Sequence, residues 1–148
     1  MKLKILKFKT EDFEEYKSWY KDSDLNKELG PMDQEWLDYV LKEKDGREYS
    51  VFSGGKLVAV AGIKFPDSKH PYYFITSIAV KPSFKRQGIG SQVLQYLMKL
   101  HPLKSRQFWK AVINIRNIKA RSFLEKNGWI CKSEKPDEHG MITFELKQ

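Results

Sequence analysis

The chain has 148 residues, 41% of them hydrophobic and 14% aromatic, and a formal net charge of +8. This length and apolar content exclude a disordered tail and favour a single domain over residues 1–148 with its own core. No apolar run approaches the roughly 20 residues that cross a bilayer, and the Lys-rich start lacks a signal-peptide block, so we expect a cytoplasmic protein. With Cys131 alone and three scattered histidines, we expect no disulfide and no metal site.

The charge is unevenly distributed along the chain. Residues 10–45 contain 12 acidic and 5 basic residues, a net of −7, whereas residues 46–148 contain 18 basic and 7 acidic residues, a net of +11. Such a division suits a protein that holds a polyanion with one part and a cationic amine with another. Solvated faces explain it equally well. A nucleic-acid binder has little support, since only the basic stretch 99–121, with Phe108 and Trp109, favours it.

In chain order, the apolar patterns predict β, α, α, β, β, β, α, β, α, β, β. The predicted strands are 2–8, 48–52, 56–65, 72–80, 108–115, 129–133 and 141–146. Two helices are predicted before Gly46, the second from Asp33, then one bearing Ile89 to Met98 and one at 117–127. This order implies an α+β (α/β sandwich) fold around one mixed sheet.

The stretch Lys85-Arg86-Gln87-Gly88-Ile89-Gly90-Ser91 lies between a predicted strand and a predicted amphipathic helix. Because glycine lacks Cβ, the backbone can turn tightly there and bring N–H groups against a bulky ligand. The first N–H groups of a helix also lack internal partners and carry partial positive charge. We therefore predict an anion site suited to phosphate, with added charge from Lys85 and Arg86. The stretch is neither a Walker loop nor a complete G-x-G-x-x-G fingerprint.

Two neighbouring blocks make this glycine stretch more specific. The apolar run Ile78-Ala79-Val80 precedes it, and a helix that begins at Asn117 and ends in Lys126-x-Gly128-Trp129 follows it. Together these motifs resemble the GNAT superfamily of acyl-CoA-dependent N-acetyltransferases, in which [R/Q]-x-x-G-x-[G/A] follows a strand and begins a helix. The resemblance covers residues 75–129. Lys85 stands at the Arg or Gln position, and the first third of the chain resembles the family only in element order.

The resemblance implies a mostly antiparallel sheet of about seven strands flanked by helices. It also implies direct transfer of an acetyl group from acetyl-CoA to a primary amine, without a covalent enzyme intermediate. The pyrophosphate would lie on the amides of residues 86–91, the pantetheine arm would pair with residues 78–80, and Asn117 would face the cofactor or only cap its helix. The implied cofactor-binding residues are Ile78, Ala79, Val80, Lys85, Arg86, Gln87, Gly88, Ile89, Gly90, Ser91 and Asn117.

Two positions depart from the family pattern. Leu124 stands where many members have a tyrosine that protonates the leaving thiolate, and Phe74 stands where some have a glutamate base. The sequence therefore assigns no catalytic acid or base. Five other polar side chains could reach the site, although packing or a loop position explains each of them better: Tyr72, Tyr73, Thr76, Ser77 and His139. A catalytically silent acyl-CoA-binding or sensor module is the alternative to an active enzyme.

The acceptor is indicated only by the acidic segment. Carboxylates such as Glu28 and Asp33, with the aromatic residues Trp19, Tyr20 and Trp36, suggest a cationic or amphipathic amine on a small molecule or a peptide. The same aromatic residues at helical spacing also fit an ordinary core. We expect no membrane partner. The sequence is compatible with a homodimer but does not predict one.

Overall fold

The computed structural model describes residues 2–147, which fold around one seven-stranded sheet. The strands are β1 Lys4–Lys7, β2 Gly46–Ser53, β3 Lys56–Lys64, β4 Tyr72–Val80, β5 Phe108–Asn114, β6 Ile130–Cys131 and β7 Met141–Leu146. The α-helices are α1 Phe13–Ser18, α2 Ser23–Leu29, α3 Gln34–Lys42, α4 Ile89–Leu100 and α5 Ile118–Lys126. Within this range no helix is both long enough and apolar enough to cross a membrane.

The sheet is mixed and mostly antiparallel, as the family resemblance implied. Its spatial order is β1-β2-β3-β4-β5-β7-β6, and every neighbouring pair is antiparallel except β4 and β5. Gly54 and Gly55 turn the chain between β2 and β3 with φ angles of 56° and 79°, a conformation that glycine adopts readily. The predicted fold class is confirmed.

Helices cover both faces of the sheet. One buried cluster lies under α4 and α5 and includes Val93 and Trp109, while a second lies under α1–α3 and includes Tyr16 and Leu37. The apolar spacing that predicted α4 is the spacing that buries it, because residues three and four apart share one helical face. The sheet therefore separates two apolar cores. A polar side chain on a central strand points toward one of these cores or lies at the edge of that core.

Strand β2 presents polar side chains to the first three helices. Tyr49 and Val51 belong to the cluster under α4, so strand alternation directs Glu48 and Ser50 toward α1–α3. The Ser50 hydroxyl accordingly donates to Asp12 Oδ2 at 2.8 Å on that side. This orientation brings a glutamate beneath the acidic helices.

The acidic segment forms three helices where the sequence predicted two. Helix α1 passes into a 3-10 turn, and Asp22 then begins α2, because its Oδ1 accepts hydrogen bonds from the backbone N–H groups of Asp24 and Leu25, both at 3.1 Å. The aromatic spacing of residues 13–20 had indicated one continuous helix. The cap at Asp22 overrides it, since a side chain that satisfies free N–H groups stabilises a new helix start.

Strands β4 and β5 pair only at their beginnings. The parallel ladder joins Tyr72–Phe74 to Phe108–Lys110 and then stops, although both strands continue. The other edge of β4 pairs with β3 almost to its end. From residue 75 onward, one backbone edge of β4 therefore has no strand partner within the described chain, and the sheet opens.

A β-bulge lies at this opening. Gly62 of β3 pairs with Ser77, but the next residue, Ile63, pairs with Ile75, so Thr76 is the extra residue of β4. A bulge adds twist and redirects side chains, which is why bulges are common beside functional sites. Here the extra residue lies two positions after Phe74, the last residue of β4 that pairs with β5.

Candidate active site

The glycine stretch forms the start of α4, as predicted. Gly88 is the N-cap with a φ of 75°, and Arg86 also lies in the left-handed region with a φ of 65°. The backbone N–H groups of residues 86–91 make no hydrogen bond within residues 2–147, whereas Gln92 already donates to the Gly88 carbonyl. Backbone N–H groups in folded proteins are normally hydrogen-bonded. A row of unpaired donors at a helix start can therefore bind an anion. The role of this helix start as an anion site stays a prediction.

Two lysines beside this loop are paired with acids of the first helices. Lys85 Nζ lies 3.7 Å from Asp22 Oδ1, and Lys81 Nζ lies 3.2 Å from Glu15 Oε2. Part of the negative segment therefore docks against the positive loop instead of facing a ligand. The carboxylate of Asp33 likewise has a structural contact, because it caps α3 by accepting from the Trp36 N–H at 3.0 Å.

The first turn of α4 packs directly on α5. A Cβ built on Gly90 would lie 3.2 Å from Phe123 Cε1, and Asn127 Nδ2 donates to Ser91 Oγ at 3.1 Å. Asn117 Oδ1 accepts from the Ala120 N–H at 3.0 Å and so caps α5. The cap is one of the two roles predicted for Asn117, and its contact with a cofactor stays a prediction.

Several polar residues within predicted reach of the site lie elsewhere. Tyr73 stacks on Trp109 with ring centroids 4.8 Å apart, and the Tyr72 ring lies 4.7 Å from Lys110 Nζ. His139 is exposed on the loop before β7. These side chains are occupied by packing or face solvent, so we do not assign them to the chemistry.

The two positions that depart from the family pattern are apolar and packed. Leu124 is 5% exposed within the cluster under α4 and α5. The Phe74 ring lies 6.5 Å from the Tyr72 ring. Neither residue can exchange a proton, so these two positions supply no acid and no base.

A cavity of about 270 Å³ lies between the sheet and α1–α3, and it reaches the β4 bulge. Its walls combine aromatic rings, aliphatic side chains and carboxylates. The lining residues on the helices and their loops are Tyr16, Tyr20, Glu28, Leu29, Met32, Trp36, Tyr39, Val40 and Glu43. Those on the sheet are Arg47, Glu48, Ile63, Lys64, Thr76 and Ser77. Thr76 and Ser77, both predicted to be within reach, are thus brought to it.

Glu48 is the residue that sequence reasoning missed. The residue is partly exposed to solvent. Its Oε2 atom, however, is shielded from solvent and has no hydrogen-bond partner within residues 2–147. Burial raises the pKa of the Glu48 carboxyl to about 8, against an opposing effect of Lys64. The positions that the family resemblance indicates for an acid or base, Leu124 and Phe74, lie on other elements. The feature of the sequence that could have identified Glu48 is an acidic residue in a predicted strand, next to the alternating apolar residues Tyr49 and Val51.

The other acid near Glu48 behaves in the opposite way. Glu43 accepts hydrogen bonds from Lys64 Nζ, which also contacts the Tyr39 hydroxyl. The Lys64 bond, followed by Tyr39, lowers the pKa of Glu43 to about 2, so this carboxylate stays ionised. Of the three acids that line the cavity, Glu43 is therefore paired and ionised, whereas Glu48 is unpaired with a pKa raised to about 8, and Glu28 is the third.

Burial raises the pKa of two phenols on the helical wall, those of Tyr16 and Tyr20. The hydroxyls of Tyr16 and Tyr20 are hydrogen-bonded to each other at 2.6 Å, and burial raises the pKa of Tyr20 to about 12. They can orient a ligand as dipoles but do not supply charge. No group of three or more His, Cys, Asp or Glu side chains suited to a metal ion occurs within residues 2–147.

Comparison with known proteins places this geometry in a family. The acetyltransferase (GNAT) family model matches residues 11–129. The chain is 24% identical over 131 residues to the uncharacterized N-acetyltransferase YfmK of Bacillus subtilis strain 168, covering 87% of this chain and 86% of that protein.

Solved structures give the same result for the fold. An aminoglycoside acetyltransferase in complex with coenzyme A superimposes with a TM-score of 0.80 at 14% identity, covering 99% of this chain and 95% of that one. The PaiA N-acetyltransferase of Thermoplasma acidophilum, also with coenzyme A, gives 0.73 at 18% identity, with 100% of both chains covered. Since the family model spans most of its length, the chain belongs to the acetyltransferase (GNAT) family.

Proposed function

We propose that this protein transfers the acetyl group of acetyl-CoA directly to a primary amine. The observation that carries the proposal is the row of free N–H groups from Arg86 to Ser91 at the start of α4, beside the unpaired edge of β4. A pyrophosphate needs several converging donors, and an extended pantetheine chain needs a strand edge with which to exchange hydrogen bonds. Both requirements are met within one segment of the chain.

The cofactor-binding residues proposed from the sequence have consistent positions around these two features. Ile78, Ala79 and Val80 form the end of β4 after the opening, and the pantetheine arm would pair along their free edge. The pyrophosphate would accept from the N–H groups of residues 86–91, with Lys85 beside it. Ile89 is an exception in its side chain, which is 1% exposed and belongs to the core, so its contribution is its backbone N–H.

The chemistry asked of the protein is mainly placement. An amine nitrogen held against the thioester carbonyl reacts with an effective concentration that can reach about 10^5 M or more. A backbone N–H of β4 near Ala79 would polarise that carbonyl as the new bond forms. Coenzyme A thiolate is a tolerable leaving group near neutral pH, which agrees with an apolar Leu124 where other members have a tyrosine.

Two measurements test this function. Calorimetric titration with acetyl-CoA should show saturable binding, and free thiol should then appear only when a primary amine from a panel of alkylamines, aminoglycosides, amino acids and peptides is added. Acetylated amine identified by mass spectrometry would complete the assignment. Binding without thiol release for any amine would favour a silent acyl-CoA-binding module, and absence of binding would overturn both assignments.

A further inference from the structure

We infer that the cavity between the sheet and α1–α3 binds a primary alkylammonium group, and that the Glu48 carboxylate accepts a proton from it. The inference rests on the proposed acetyltransferase function and names the acceptor class and the base of the same reaction. Four observations support it: an unsatisfied carboxylate, its route to the β4 opening, the nature of the cavity walls, and the pairing of the competing charges.

The carboxylate of Glu48 has no partner in the chain. Oε2 is shielded from solvent and accepts no hydrogen bond within residues 2–147. A buried polar atom left unpaired is costly, and native structures retain few of them without a functional or ligand-related reason. Because a carboxylate oxygen only accepts, its missing partner is a donor. A cationic N–H group satisfies both its hydrogen-bonding capacity and its charge.

The absence of a side chain at Gly62 leaves space for this carboxylate beside the proposed reaction centre. An ideal Cβ on Gly62 would lie 2.1 Å from Glu48 Oε1 and 2.4 Å from Thr76 Oγ1, so the side chains from β2 and β4 meet above a residue that lacks one. Thr76 is the bulge residue at the start of the free β4 edge. The proton acceptor is therefore placed beside the strand along which the thioester is proposed to lie.

The walls of the cavity suit an alkyl chain that ends in a positive charge. Aromatic faces attract ammonium groups, and the helical wall contains Tyr16, Tyr20 and Trp36. Leu29 and Met32 add aliphatic surface beside them. A flexible methylene chain fills such a space without leaving buried polar atoms, while an anion would face both the rings and the carboxylates.

The basic residues at the cavity do not neutralise Glu48. Lys64 is bonded to Glu43 and Tyr39, and the Arg47 guanidinium lies 5.9 Å from the Phe65 ring, on the opposite side of the sheet. The titratable and charged residues that line the cavity around Glu48 are Tyr16, Tyr20, Glu28, Tyr39, Glu43, Arg47 and Lys64. The Lys64–Glu43 pair cancels and the Arg47 guanidinium lies against Phe65, so Glu28 is the other acidic side chain beside Glu48 that has neither contact.

Both protons that the amine loses in the proposed step are accounted for. The nitrogen of R–NH3+ gives its first proton to Glu48, and its freed lone pair attacks the thioester carbon. The C–N bond forms, the C–S bond breaks, and the electron pair of that bond leaves on sulfur. The nitrogen then gives up a second proton, which ends on sulfur, and Glu48 releases the first to solvent. A carboxyl whose pKa is raised to about 8 by burial lies much nearer to an alkylammonium than an ordinary glutamate does, which favours the transfer.

Amine binding and turnover are measured separately, so that the inference and the acetyltransferase assignment can fail independently. The proteins are wild type, Glu48→Gln, which removes the base but keeps the shape, and Glu14→Gln, which removes the same charge from an exposed position of α1. The probes are n-butylamine, 1,4-diaminobutane and an Nα-blocked lysine, since a free amine and a lysine side chain share this chemistry. Calorimetry with coenzyme A present measures binding without reaction, and thiol release with acetyl-CoA measures turnover.

For Glu48→Gln we expect amine affinity to fall at least tenfold and kcat to fall about 10^2- to 10^4-fold, the usual range for loss of a general base. Acetyl-CoA affinity should be unchanged, and Glu14→Gln should match wild type. In wild type, kcat/KM for the amine should rise with pH to a break near 8, and Glu48→Gln should lose that break. The probe turned over fastest separates a free amine from a lysine side chain.

Each other outcome decides one of the two assignments. If wild type acetylates an amine and Glu48→Gln acetylates it equally fast with the same pH profile, the inference is wrong and the acetyltransferase function stands. Glu48-dependent amine binding without thiol release leaves the binding site standing, removes the base role and contradicts the proposed function. If no probe binds or reacts, the alkylammonium inference is overturned, and the broader amine panel decides the acetyltransferase function.

Discussion

The donor side and the acceptor side of the proposed site are built in different ways. The donor side uses backbone N–H groups of consecutive residues, 86–91, and the free edge of a single strand. The acceptor cavity uses side chains from three helices and three strands. A site made of backbone donors recognises what all acyl-CoA substrates share, whereas a site made of dispersed side chains can differ between relatives with the same fold. Changes to the donor side should therefore act through backbone geometry and changes to the cavity through individual charges.

The largest expected effect is on the pH dependence of stability. The Glu48 carboxyl binds its proton more tightly in the folded chain, so the stability it contributes is complete below about pH 4.5 and is lost as pH rises through about 8. At about 1.4 kcal/mol per pKa unit, the upper bound is about 5 kcal/mol. Glu48→Gln should therefore gain unfolding free energy relative to wild type between pH 5 and pH 9, as measured by urea denaturation. Equal pH dependence in the two proteins would contradict an unpaired buried carboxyl.

The second prediction distinguishes the acceptor cavity from the donor side by adding one methyl group to the cavity. Gly62→Ala places a Cβ where Glu48 Oε1 and Thr76 Oγ1 now lie, so the carboxylate must move. Because misplacement of about 1 Å costs roughly 100-fold in rate, kcat/KM for the amine should fall by about that factor. Acetyl-CoA affinity should stay within about twofold, which also shows that the variant is folded. Gly54→Ala, in the β2–β3 turn, has open space around it but strains a φ of 56°, so it controls for a general loss of stability and should leave kcat/KM unchanged.

A smaller effect concerns backbone strain on the donor side. Arg86→Gly removes a positive charge and also relieves a left-handed φ of 65°. We expect acetyl-CoA affinity to weaken about three- to tenfold while the folded state gains up to about 1 kcal/mol. Arg106→Gly is a matched control, because Arg106 has a φ of 71° in a loop outside the site. It should show the stability gain alone, and equal losses of affinity in both variants would exclude a local role for Arg86.

The smallest effect tests the two roles of Asn117. Asn117→Ala should lower the free energy of unfolding by about 1 kcal/mol, because the Ala120 N–H loses its cap. Asn117→Ser keeps a capping hydroxyl and should lose less. If the serine variant is as stable as wild type but binds acetyl-CoA more weakly, Asn117 also contacts the cofactor. If its affinity is unchanged, capping is the whole role.

The successes of sequence reasoning concern local features. Strands β4 and β7 occupy the predicted ranges, and α4 follows the predicted glycine stretch. Each is encoded by residues that are neighbours in the chain: alternation, a glycine at a helix start, or a helical apolar face. The number of helices before Gly46 was wrong, because a single cap at Asp22 outweighed a continuous aromatic spacing.

The sequence by itself determined the order of the strands, the place of the glycine stretch at a helix start and the resemblance to the acetyltransferase family. Only the tertiary structure decided that β4 and β5 separate after Phe74 and that Glu48 is left without a partner among the described residues. The physical reason is that a backbone turn depends on adjacent residues. The pKa of a carboxyl depends on burial and charge contributed by elements far away in the chain.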